Sequence, residues 1–391
     1  MKLRVLCLST LYPHDQAPNF GIFVARQLAA VVARGDVDLV LVSPLGLPPF
    51  PLSLHRRYRA LRDLPLEEYR DGVRILRPRF RLLPGLGAGR NFAAIAKAVL
   101  PVARKLHAEQ PFDLIDAQFF HPDGAAAAAI ARTLNLPLSI KARGADIHHW
   151  GRNPATAPAL LRAADQAAGM LAVSQALRDD MVAMGMTAER ITVHHTGLDH
   201  TRFYPRPRAA ARAALALPKD GPLLVCTGAL IERKGQALAI EALTHLPNAR
   251  LALAGAGPDE AKLRDLIAQK GLTDRVYFHG SVPHNDLPKL LAAADVMVLP
   301  SASEGLANAW VEALACGTPI VIPDIGGARE VVTADTAGRI AARDPLAIAE
   351  AVQALLANPP AQAEVAKHAA AFSWEANAAN LVNYWRGLIK V

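Results

Sequence analysis

Two carboxylates, Glu304 and Glu312, lie eight positions apart around the start of a predicted helix. An apolar strand ends at Pro300, and the helix is expected to begin near Ala307. The first backbone N–H groups of a helix suit a phosphate or sugar oxygen, and carboxylates accept hydrogen bonds from hydroxyls. The N–H groups concerned are those of Leu306, Ala307 and Asn308. A second interpretation stays open, in which Glu304 only favours the helix dipole and Glu312 is an ordinary helical acid.

A charged loop, residues 232–235 (ERKG), follows another short apolar strand that ends near Gly228. Its two adjacent cations, Arg233 and Lys234, are suited to stabilise negative charge that grows on a leaving phosphate oxygen. The alternative is a solvated pair of side chains without a ligand.

Short apolar strands alternate with amphipathic helices along the chain, which is typical of a parallel sheet covered on both faces. The opening consists of a strand at Leu3–Leu8, a loop, and a helix from about Ile22 to Ala33. A Pro-rich stretch at residues 204–208 interrupts this pattern, which restarts near Pro222. The sequence therefore predicts an α/β protein with two Rossmann-like doubly wound domains that face a central cleft, where such sheets bind ligands.

The composition fits a globular chain of two domains. Of 391 residues, 52% are hydrophobic and 20% charged, which excludes a small disulfide scaffold and a disordered or fibrous chain. Cys7, Cys226 and Cys316 lie in apolar stretches without metal-ligand spacing, so we expect buried, reduced thiols in a cytoplasmic protein. The N-terminus has no signal-peptide core, and no apolar run reaches about 18 residues. We therefore expect neither export nor a membrane span.

The positive charge is concentrated in the first quarter of the chain. The formal net charge is +8, and residues 1–100 hold 15 Lys and Arg against 7 Asp and Glu. Such a segment can meet nucleic acid, an anionic membrane or an anionic substrate, and the alternative is a solvated face. Nine arginines of this segment lie among apolar and aromatic side chains: Arg56, Arg57, Arg59, Arg62, Arg70, Arg74, Arg77, Arg79 and Arg81.

Several motifs resemble those of glycosyltransferase family 4, whose members are retaining, metal-independent enzymes with two Rossmann domains (the GT-B fold). The segment with Glu304 and Glu312 resembles the E-x7-E signature of that family. The other motifs follow in the family's order: Tyr12-Pro13 with Phe20-Gly21-Ile22-Phe23, Ala172-Val-Ser-Gln175, Gly197-Leu-Asp199, Gly228-Ala-Leu230, Lys234-Gly235, Ala254-Gly-Ala-Gly-Pro258, Val276-Tyr-Phe-His-Gly280 and Gly326-Gly327 with Glu330. The resemblance runs from about residue 10 to residue 332.

The resemblance implies that these residues bind a nucleotide-diphosphate sugar as co-substrate, with no cofactor and no metal. Lys234 would contact the diphosphate, with Arg233 beside it. Glu312 would hold the ribose hydroxyls, and Glu304 would hold the transferred sugar. Glu304, Lys234 and Arg233 would be catalytic, and the donor-binding residues would be Gly21, Gly228, Val282, Gly305, Leu306, Ala307, Asn308 and Glu312. Gly21, which has no Cβ, would let the first domain's loop approach the phosphates closely.

The chain departs from the family pattern at two places. Ala229 stands where many members have an arginine, so one diphosphate cation is missing unless Arg233 replaces it. Many members have a His-Gly or His-Thr loop near the donor sugar. This chain instead has Arg143 and Asp146 there, as a subset of the family does. Arg143, Asp146 and His121 are therefore candidates for the acceptor or sugar side. A packed or surface histidine is the alternative for His121.

The resemblance also assigns the two halves and the reaction. Residues 1–204 with 373–391 would bind the acceptor, the C-terminal helix returning to this domain, and residues 205–372 would bind the donor. A sugar would pass with retention to a glycan or lipid-linked acceptor, in cell-surface polysaccharide assembly. The leaving phosphate could take the acceptor's proton, whereas a covalent intermediate would need a carboxylate at the anomeric carbon. A nucleotide-sugar epimerase and a non-catalytic sugar-binding protein stay open as alternatives.

The position of the arginines suggests where the chain meets its acceptor. They lie in the acceptor domain, together with apolar residues at 50–52 and 82–86. Polybasic segments with apolar side chains attach reversibly to anionic membranes. We therefore expect a cytoplasmic protein, peripheral on the inner face of the cell membrane, that binds no nucleic acid. In the alternative, the arginines pair with nearby acids in a soluble enzyme with a small acceptor, the acids being Asp63, Glu67, Glu68 and Asp71.

Overall fold

The computed structural model describes residues 2–82, 89–283 and 285–389 and contains two compact units. The first unit runs to Gly197 and resumes at Trp374, and the second covers Leu198–Ser373. The chain thus changes unit a few residues before position 204, where the sequence analysis placed the boundary, and returns at nearly the predicted place.

The strands are β1 (Leu3–Leu8), β2 (Val37–Val42), β3 (Leu45–Leu47), β4 (Glu67–Arg70), β5 (Val73–Leu76), β6 (Arg79–Arg81), β7 (Leu114–Ala117), β8 (Leu138–Ala142), β9 (Gly169–Ala172), β10 (Ile191–Val193), β11 (Leu223–Thr227), β12 (Arg250–Ala254), β13 (Val276–Gly280), β14 (Val296–Val298), β15 (Ile320–Ile322) and β16 (Gly338–Ile340). The helices are α1 (Ile22–Ala33), α2 (Arg56–Arg62), α3 (Asn91–Glu109), α4 (Ala125–Leu134), α5 (Ala157–Gln166), α6 (Gln175–Ala183), α7 (Arg208–Ala214), α8 (Gln236–Ala242), α9 (Glu260–Gln269), α10 (Leu287–Ala293), α11 (Asn308–Ala315), α12 (Ala328–Val331), α13 (Pro345–Ala357), α14 (Gln362–Lys367) and α15 (Trp374–Ile389).

The main sheet of the first unit has the strand order β10-β9-β8-β7-β1-β2-β5-β4. Its neighbouring strands are parallel except for the β4–β5 hairpin at one edge. Every residue of β1 is buried, as expected for a central strand covered on both faces. Because the chain builds outward from β1 in one direction and then from β7 in the other, the topological switch point lies between these two strands.

The sheet of the second unit has the order β13-β12-β11-β14-β15-β16 and is parallel throughout. Its switch point lies between β11 and β14, by the same reasoning. Two Rossmann-like doubly wound units confirm the fold class that the alternation of strands and helices predicts.

The C-terminal helix α15 packs within the first unit. Its apolar side chains Leu381, Val382 and Trp385 are fully buried in one core with residues of α1 and β1. Two glycines make room for it, because a Cβ on Gly169 would lie 2.3 Å from the hydroxyl of Tyr384, and one on Gly197 would collide with the ring of Trp374. The aromatic spacing of this helix is therefore the spacing of a core element.

Candidate active site

In the second unit, the loops that follow β11 and β14 bring two predicted residues into contact. The β11 loop leads to Lys234, and the β14 loop leads to Glu304. The ammonium of Lys234 donates a hydrogen bond to Oε1 of Glu304 at 2.6 Å, and both side chains are largely buried. The pair lies past the carboxyl ends of the two strands at the switch point, where doubly wound sheets bind ligands.

Arg233 lies at the edge of this ion pair. Its Nη1 is 3.5 Å from Oε1 of Glu304 and donates to the carbonyl of Ser303, while 44% of the side chain stays exposed. The carbonyl of Arg233 accepts a hydrogen bond from the N–H of Ala302 at 2.7 Å, which ties the two loops together. Ala229, which is exposed, carries no charge. The cations that the β11 loop supplies are therefore Arg233 and Lys234.

A glycine lets the lysine loop approach the end of β14. Gly235 has a φ of +73°, in the left-handed region, and a Cβ there would lie 2.3 Å from the carbonyl oxygen of Pro300. The same carbonyl accepts a hydrogen bond from Nε of Arg343 at 3.0 Å. Since the Pro300 carbonyl is fixed by Arg343, a side chain at position 235 would displace the lysine loop.

The ends of β11, β12 and β13 are drawn together by close backbone contacts. Gly228 has a φ of +137°, and a Cβ on Gly255 would lie 1.8 Å from the carbonyl oxygen of Gly228. The N–H of Gly255 donates to the carbonyl of Gly280 at 2.7 Å. Val282 follows two residues later and is half-buried. The predicted donor-binding residues Gly228 and Val282 therefore both follow strand ends on the same edge of the sheet.

Helix α11 begins at Asn308, one residue after the predicted start. Ala307 precedes it with an extended backbone and no side-chain cap. Leu306 and Ala307 are buried, and Asn308 is half-buried. Glu312 lies in the second turn of the helix and is also half-buried. The structure thus separates the two acids of the E-x7-E segment, since Glu304 is on the loop and Glu312 is inside the helix.

The pair Gly326-Gly327 supports the loop that carries Glu304. The N–H of Gly327 donates to the carbonyl of Gly305 at 2.7 Å. A Cβ on Gly326 would lie 2.3 Å from the carbonyl oxygen of Glu304, and the φ of this residue is +48°. The two glycines therefore allow a close backbone contact that fixes the acidic loop.

In the first unit, Asp146 is occupied by backbone donors. Its carboxylate accepts hydrogen bonds from the N–H groups of Phe120 at 3.0 Å, Arg143 at 2.9 Å and Gly144 at 2.9 Å. The side chain is buried, and burial raises the pKa of this carboxyl. Asp146 thus joins the loop after β7 to the loop after β8, and its carboxylate fixes the backbone of Arg143.

His121 is buried among aromatic rings, which excludes the surface position left open by the sequence. Its ring centroid is 5.4 Å from that of Trp150 and 6.5 Å from that of Phe92. His121 is therefore a packed histidine in this structure.

Gly21 has a structural reason for lacking a Cβ. It precedes α1 with a φ of +66°, and a Cβ would lie 2.5 Å from the backbone carbon of Leu11. The chain's own loop thus requires glycine here. Close approach to a phosphate stays a prediction.

Asp123 is a titratable group that the sequence analysis did not select. Its two oxygens accept hydrogen bonds from the N–H of Thr10 at 2.9 Å and from its hydroxyl at 2.8 Å. Burial, with a smaller effect of the nearby Asp146, raises the pKa of Asp123 to about 7. The contact joins the loops after β1 and β7, the two strands at the switch point of the first sheet.

A set of buried amides surrounds Arg143 and was not predicted from the sequence. Gln27, Gln118 and Asn377 lie on α1, after β7 and on α15, and all three are buried. Gln27 falls on the buried side of an otherwise apolar helix stripe, beside Val24 and Leu28. A polar residue in such a stripe was the signal that could have revealed it.

The three cysteines are buried and free, as predicted, and burial raises the pKa of Cys226 to about 12. Within the ranges that the structure describes, His, Cys, Asp and Glu side chains form no group of three or more that could hold a metal ion.

Two family models match the chain. The model for glycosyl transferases group 1 matches residues 207–372, and the model for Glycosyltransferase Family 4 matches residues 24–202. Together these matches cover most of both units.

A protein named as a teichuronic acid biosynthesis glycosyltransferase, TuaC of Bacillus subtilis, is 30% identical over 90% of this chain and 88% of its own length. A D-inositol 3-phosphate glycosyltransferase of Xylanimonas cellulosilytica is 37% identical over 53% of this chain and 54% of its own length. The sucrose-phosphate synthase structure of Thermosynechococcus elongatus has a TM-score of 0.80 at 22% identity, over the whole of both chains. That of Anabaena HepE in complex with UDP and glucose has a TM-score of 0.76 at 20% identity, over 98% of this chain and all of that one. The chain belongs to the group 1 glycosyltransferases, of glycosyltransferase family 4.

Proposed function

We propose that this chain transfers a sugar, with retention of anomeric configuration, from a nucleotide-diphosphate sugar to a glycan or lipid-linked acceptor. The observation that carries the proposal is the ion pair of Lys234 and Glu304 at the switch point of the second sheet. A diphosphate is a stronger anion than one carboxylate, so it can replace Glu304 as the partner of Lys234. Glu304 is then released to accept hydrogen bonds from the hydroxyls of the transferred sugar.

Negative charge grows on the diphosphate as the sugar leaves. Lys234 and the half-exposed Arg233 supply positive charge, and the uncapped start of α11 supplies backbone N–H groups from Leu306 to Asn308. We propose that these groups together do the work of a metal ion and that no cofactor takes part. Glu312 holds the ribose, and Gly228 and Val282 border the base.

The proposed reaction needs no side-chain nucleophile. The bond between the anomeric carbon and the phosphate oxygen breaks, and the bond to the acceptor oxygen forms on the same face. The acceptor's proton passes to the leaving diphosphate. Glu304, once the diphosphate has replaced it on Lys234, is engaged by the sugar hydroxyls, which favours this course over attack by Glu304 to form a glycosyl-enzyme.

On the first unit, we propose that Arg143 contacts a substrate oxygen. Arg143 is half-buried as a residue, whereas the oxygens of Asp146 are taken up by backbone N–H groups and His121 is packed among rings. Asp146 and His121 then shape the acceptor side without donating to the substrate.

We also propose that the acceptor is reached at an anionic membrane. Among the described parts of the chain, no helix combines the length and the apolar content needed to cross a bilayer. An amphipathic patch, formed by Phe50, Leu52, Leu54, Arg56 and Arg59, supports peripheral attachment instead. Its three apolar side chains are more than half exposed, and both arginines are exposed. Of the predicted apolar residues, 83–86 lie outside the described part of the chain.

The structure narrows the basic segment on which this proposal rests. Arg77 is fully buried and bonds Glu68, and Arg74 bonds Glu67 at 2.7 Å. Other arginines of the segment also pair with acids: Arg62 with Asp63, and Arg70 with Asp15 and Glu68. The alternative pairing is thus partly observed, and the proposal rests on the exposed Arg56 and Arg59 of the amphipathic patch.

One experiment tests the proposal and separates it from its alternatives. A panel of nucleotide diphosphates, beginning with UDP because of the HepE complexes, is screened for thermal stabilisation, and the matching sugars are then incubated with acceptors. Diphosphate release that requires an acceptor, with an α-linked product from an α-linked donor, is the expected result. Conversion of the sugar without an acceptor indicates an epimerase, and binding without turnover indicates a sugar-binding protein. Transfer that stops with EDTA and resumes with Mn²⁺ contradicts metal independence.

A further inference from the structure

We propose that Gln27 and Gln118 are positioning residues for Arg143, and that the C-terminal helix α15 fixes both of them. The inference rests on the proposed function, in which Arg143 contacts a substrate oxygen. It comes from two hydrogen-bond relays that start on α15, run through different segments of the first unit, and end on the same nitrogen of Arg143.

The guanidinium of Arg143 is held by three of its five N–H groups. Nη2 donates to Oε1 of Gln27 at 3.1 Å and also to Oε1 of Gln118, and Nε donates to the carbonyl of Gln118 at 2.9 Å. The group also lies 4.6 Å from the ring centroid of Phe23. Among the residues that the structure describes, none accepts a hydrogen bond from Nη1. The two N–H groups of Nη1 are therefore left for a ligand.

The first relay fixes the amide of Gln27. Its Nε2 donates to Oδ1 of Asn377 on α15 at 2.7 Å, so its oxygen faces Arg143. Asn377 is itself locked, because its Nδ2 donates to the carbonyl of His195 at 2.6 Å and its own carbonyl accepts from Nε2 of His194 at 2.9 Å. An amide held in this way cannot turn its N–H groups toward the guanidinium.

The second relay fixes the amide of Gln118 through Asp116. Nε2 of Gln118 donates to Asp116 at 2.5 Å, and this carboxylate also accepts from Nε1 of Trp385 at 3.0 Å and from the hydroxyl of Ser139 at 2.7 Å. Since a carboxylate only accepts, Gln118 must turn its N–H groups to Asp116 and its oxygen to Arg143. Trp385, like Asn377, belongs to α15.

A core of this kind would pack as well with apolar side chains, and buried amides and carboxylates cost desolvation free energy. What the polar residues add is a single orientation for one cation. Burial lowers the pKa of Arg143 to about 10, so it stays protonated at neutral pH. Lys141, near the end of β8, instead contacts Nδ1 of His194 at 2.6 Å, and burial lowers the pKa of Lys141 well below the usual value. Arg143 is thus the cation that the relays present.

Gln27→Met tests the first relay, since methionine keeps the size of the side chain and removes the amide. Leu28→Met is the matched control, because Leu28 is a fully buried neighbour on the same helix that takes no part in the relay. We expect Gln27→Met to lower kcat at least tenfold and to change the donor KM less than threefold. Leu28→Met should stay within twofold of the wild type in both constants.

A double-mutant cycle separates positioning from general stability. In the Arg143→Ala background, Gln27→Met should change kcat less than twofold, because its effect passes through Arg143. The same tenfold loss in both backgrounds would overturn the proposal. Should Gln27→Met not fold, Trp385→Phe removes only the N–H donor of the second relay, and the same cycle with Arg143→Ala applies, with a smaller loss expected.

A second readout does not depend on turnover. In protein labelled with ¹⁵N at arginine Nε, the signal lost in Arg143→Ala identifies the Arg143 Nε–H group. We expect this signal to shift and its exchange with water to accelerate in Gln27→Met but not in Leu28→Met. An unchanged signal in Gln27→Met overturns the relay, whereas a wild type that transfers no sugar, with the signal shifted as expected, contradicts only the proposed function.

Discussion

The two units carry their charged groups in different ways. In the second unit, Lys234 and Glu304 sit on loops beyond the strand ends, and each is the near neighbour of the other. In the first unit, Arg143 is enclosed by amides that reach it from α1 and from the loop after β7 and that are fixed from α15. One arrangement leaves charges that a ligand can re-pair, and the other leaves a single nitrogen free in a fixed orientation.

Under the proposed function, this difference follows from what each site has to do. A diphosphate brings its own charge, so cations held by one carboxylate can exchange that partner for the ligand. A substrate hydroxyl or a single oxygen gains little from a mobile cation, because ordering the cation on binding costs conformational entropy. The second unit is therefore suited to capture charge, and the first unit to orient it.

The largest effect expected from this comparison is the loss of the Lys234 ammonium. We expect Lys234→Ala to lower kcat by about 10²–10³, because it removes a charge that meets the growing negative charge of the diphosphate. The variant should keep its melting temperature within a few degrees, since the pair lies on loops and not in a core. Steady-state kinetics and thermal unfolding measure both.

Arg233→Ala is the graded control for that prediction. Its side chain is 44% exposed and 3.5 Å from Glu304, against 2.6 Å for Lys234, so its loss should be the smaller one. Equal losses would mean that Arg233 fully replaces the arginine that many family members have at the position of Ala229. Normal turnover of Lys234→Ala would contradict the donor site.

The two regions also differ in how far the sequence predicts them. The proposed donor side consists of contiguous loops with recognisable spacing, so the sequence could offer Glu304, Lys234 and the glycines as candidates, although not the ion pair that joins two loops 70 positions apart. The relays join positions 27, 118, 143 and 377, and no local pattern connects these. Gln27 and Asp116 lie in apolar elements, so their role can be recognised only once their burial is known. That burial depends on the packing of α15. Gly21 shows the opposite case, a residue selected for approach to a phosphate whose observed reason for lacking a Cβ is a contact with the chain's own loop.

An effect of similar size in free energy, but on stability instead of turnover, is expected from Asp123, which joins the loops of the first unit after β1 and β7. Its pKa is raised from 3.8 to about 7 by burial, so between these values the folded protein keeps a proton that the unfolded chain has lost. The contribution of Asp123 to the free energy of unfolding therefore falls as the pH rises from about 4 to about 7, by up to about 4 kcal/mol, and then levels off.

Asp123→Asn removes this contribution. We expect the free energy of unfolding of the variant, relative to that of the wild type, to increase from pH 4 to pH 7 in denaturant titrations. Two other buried groups cancel in this difference because both proteins have them: Asp116, which acts in the same direction as Asp123, and His194, whose lowered pKa acts in the opposite direction. Asp63→Asn, at an exposed side chain, is the control. A constant difference for Asp123→Asn would show that this carboxyl is ionised throughout the range.

The smallest expected effect is on membrane binding by the surface of the first unit. Within the described part of the chain, the exposed arginines of its amphipathic patch are neither held by a carboxylate, as Lys234 is, nor enclosed by amides, as Arg143 is. We expect Arg56→Gln with Arg59→Gln to weaken binding to anionic vesicles by about 2 kcal/mol, since each cation near the leaflet contributes about 1 kcal/mol. Arg70→Gln with Arg74→Gln removes the same net charge from arginines already paired with acids, and should weaken binding less. Co-sedimentation across a salt series measures both, because electrostatic attachment weakens as the Debye length shortens. Equal losses would assign binding to net charge instead of the amphipathic patch, and a wild type that ignores anionic vesicles at low salt would favour a small acceptor in solution.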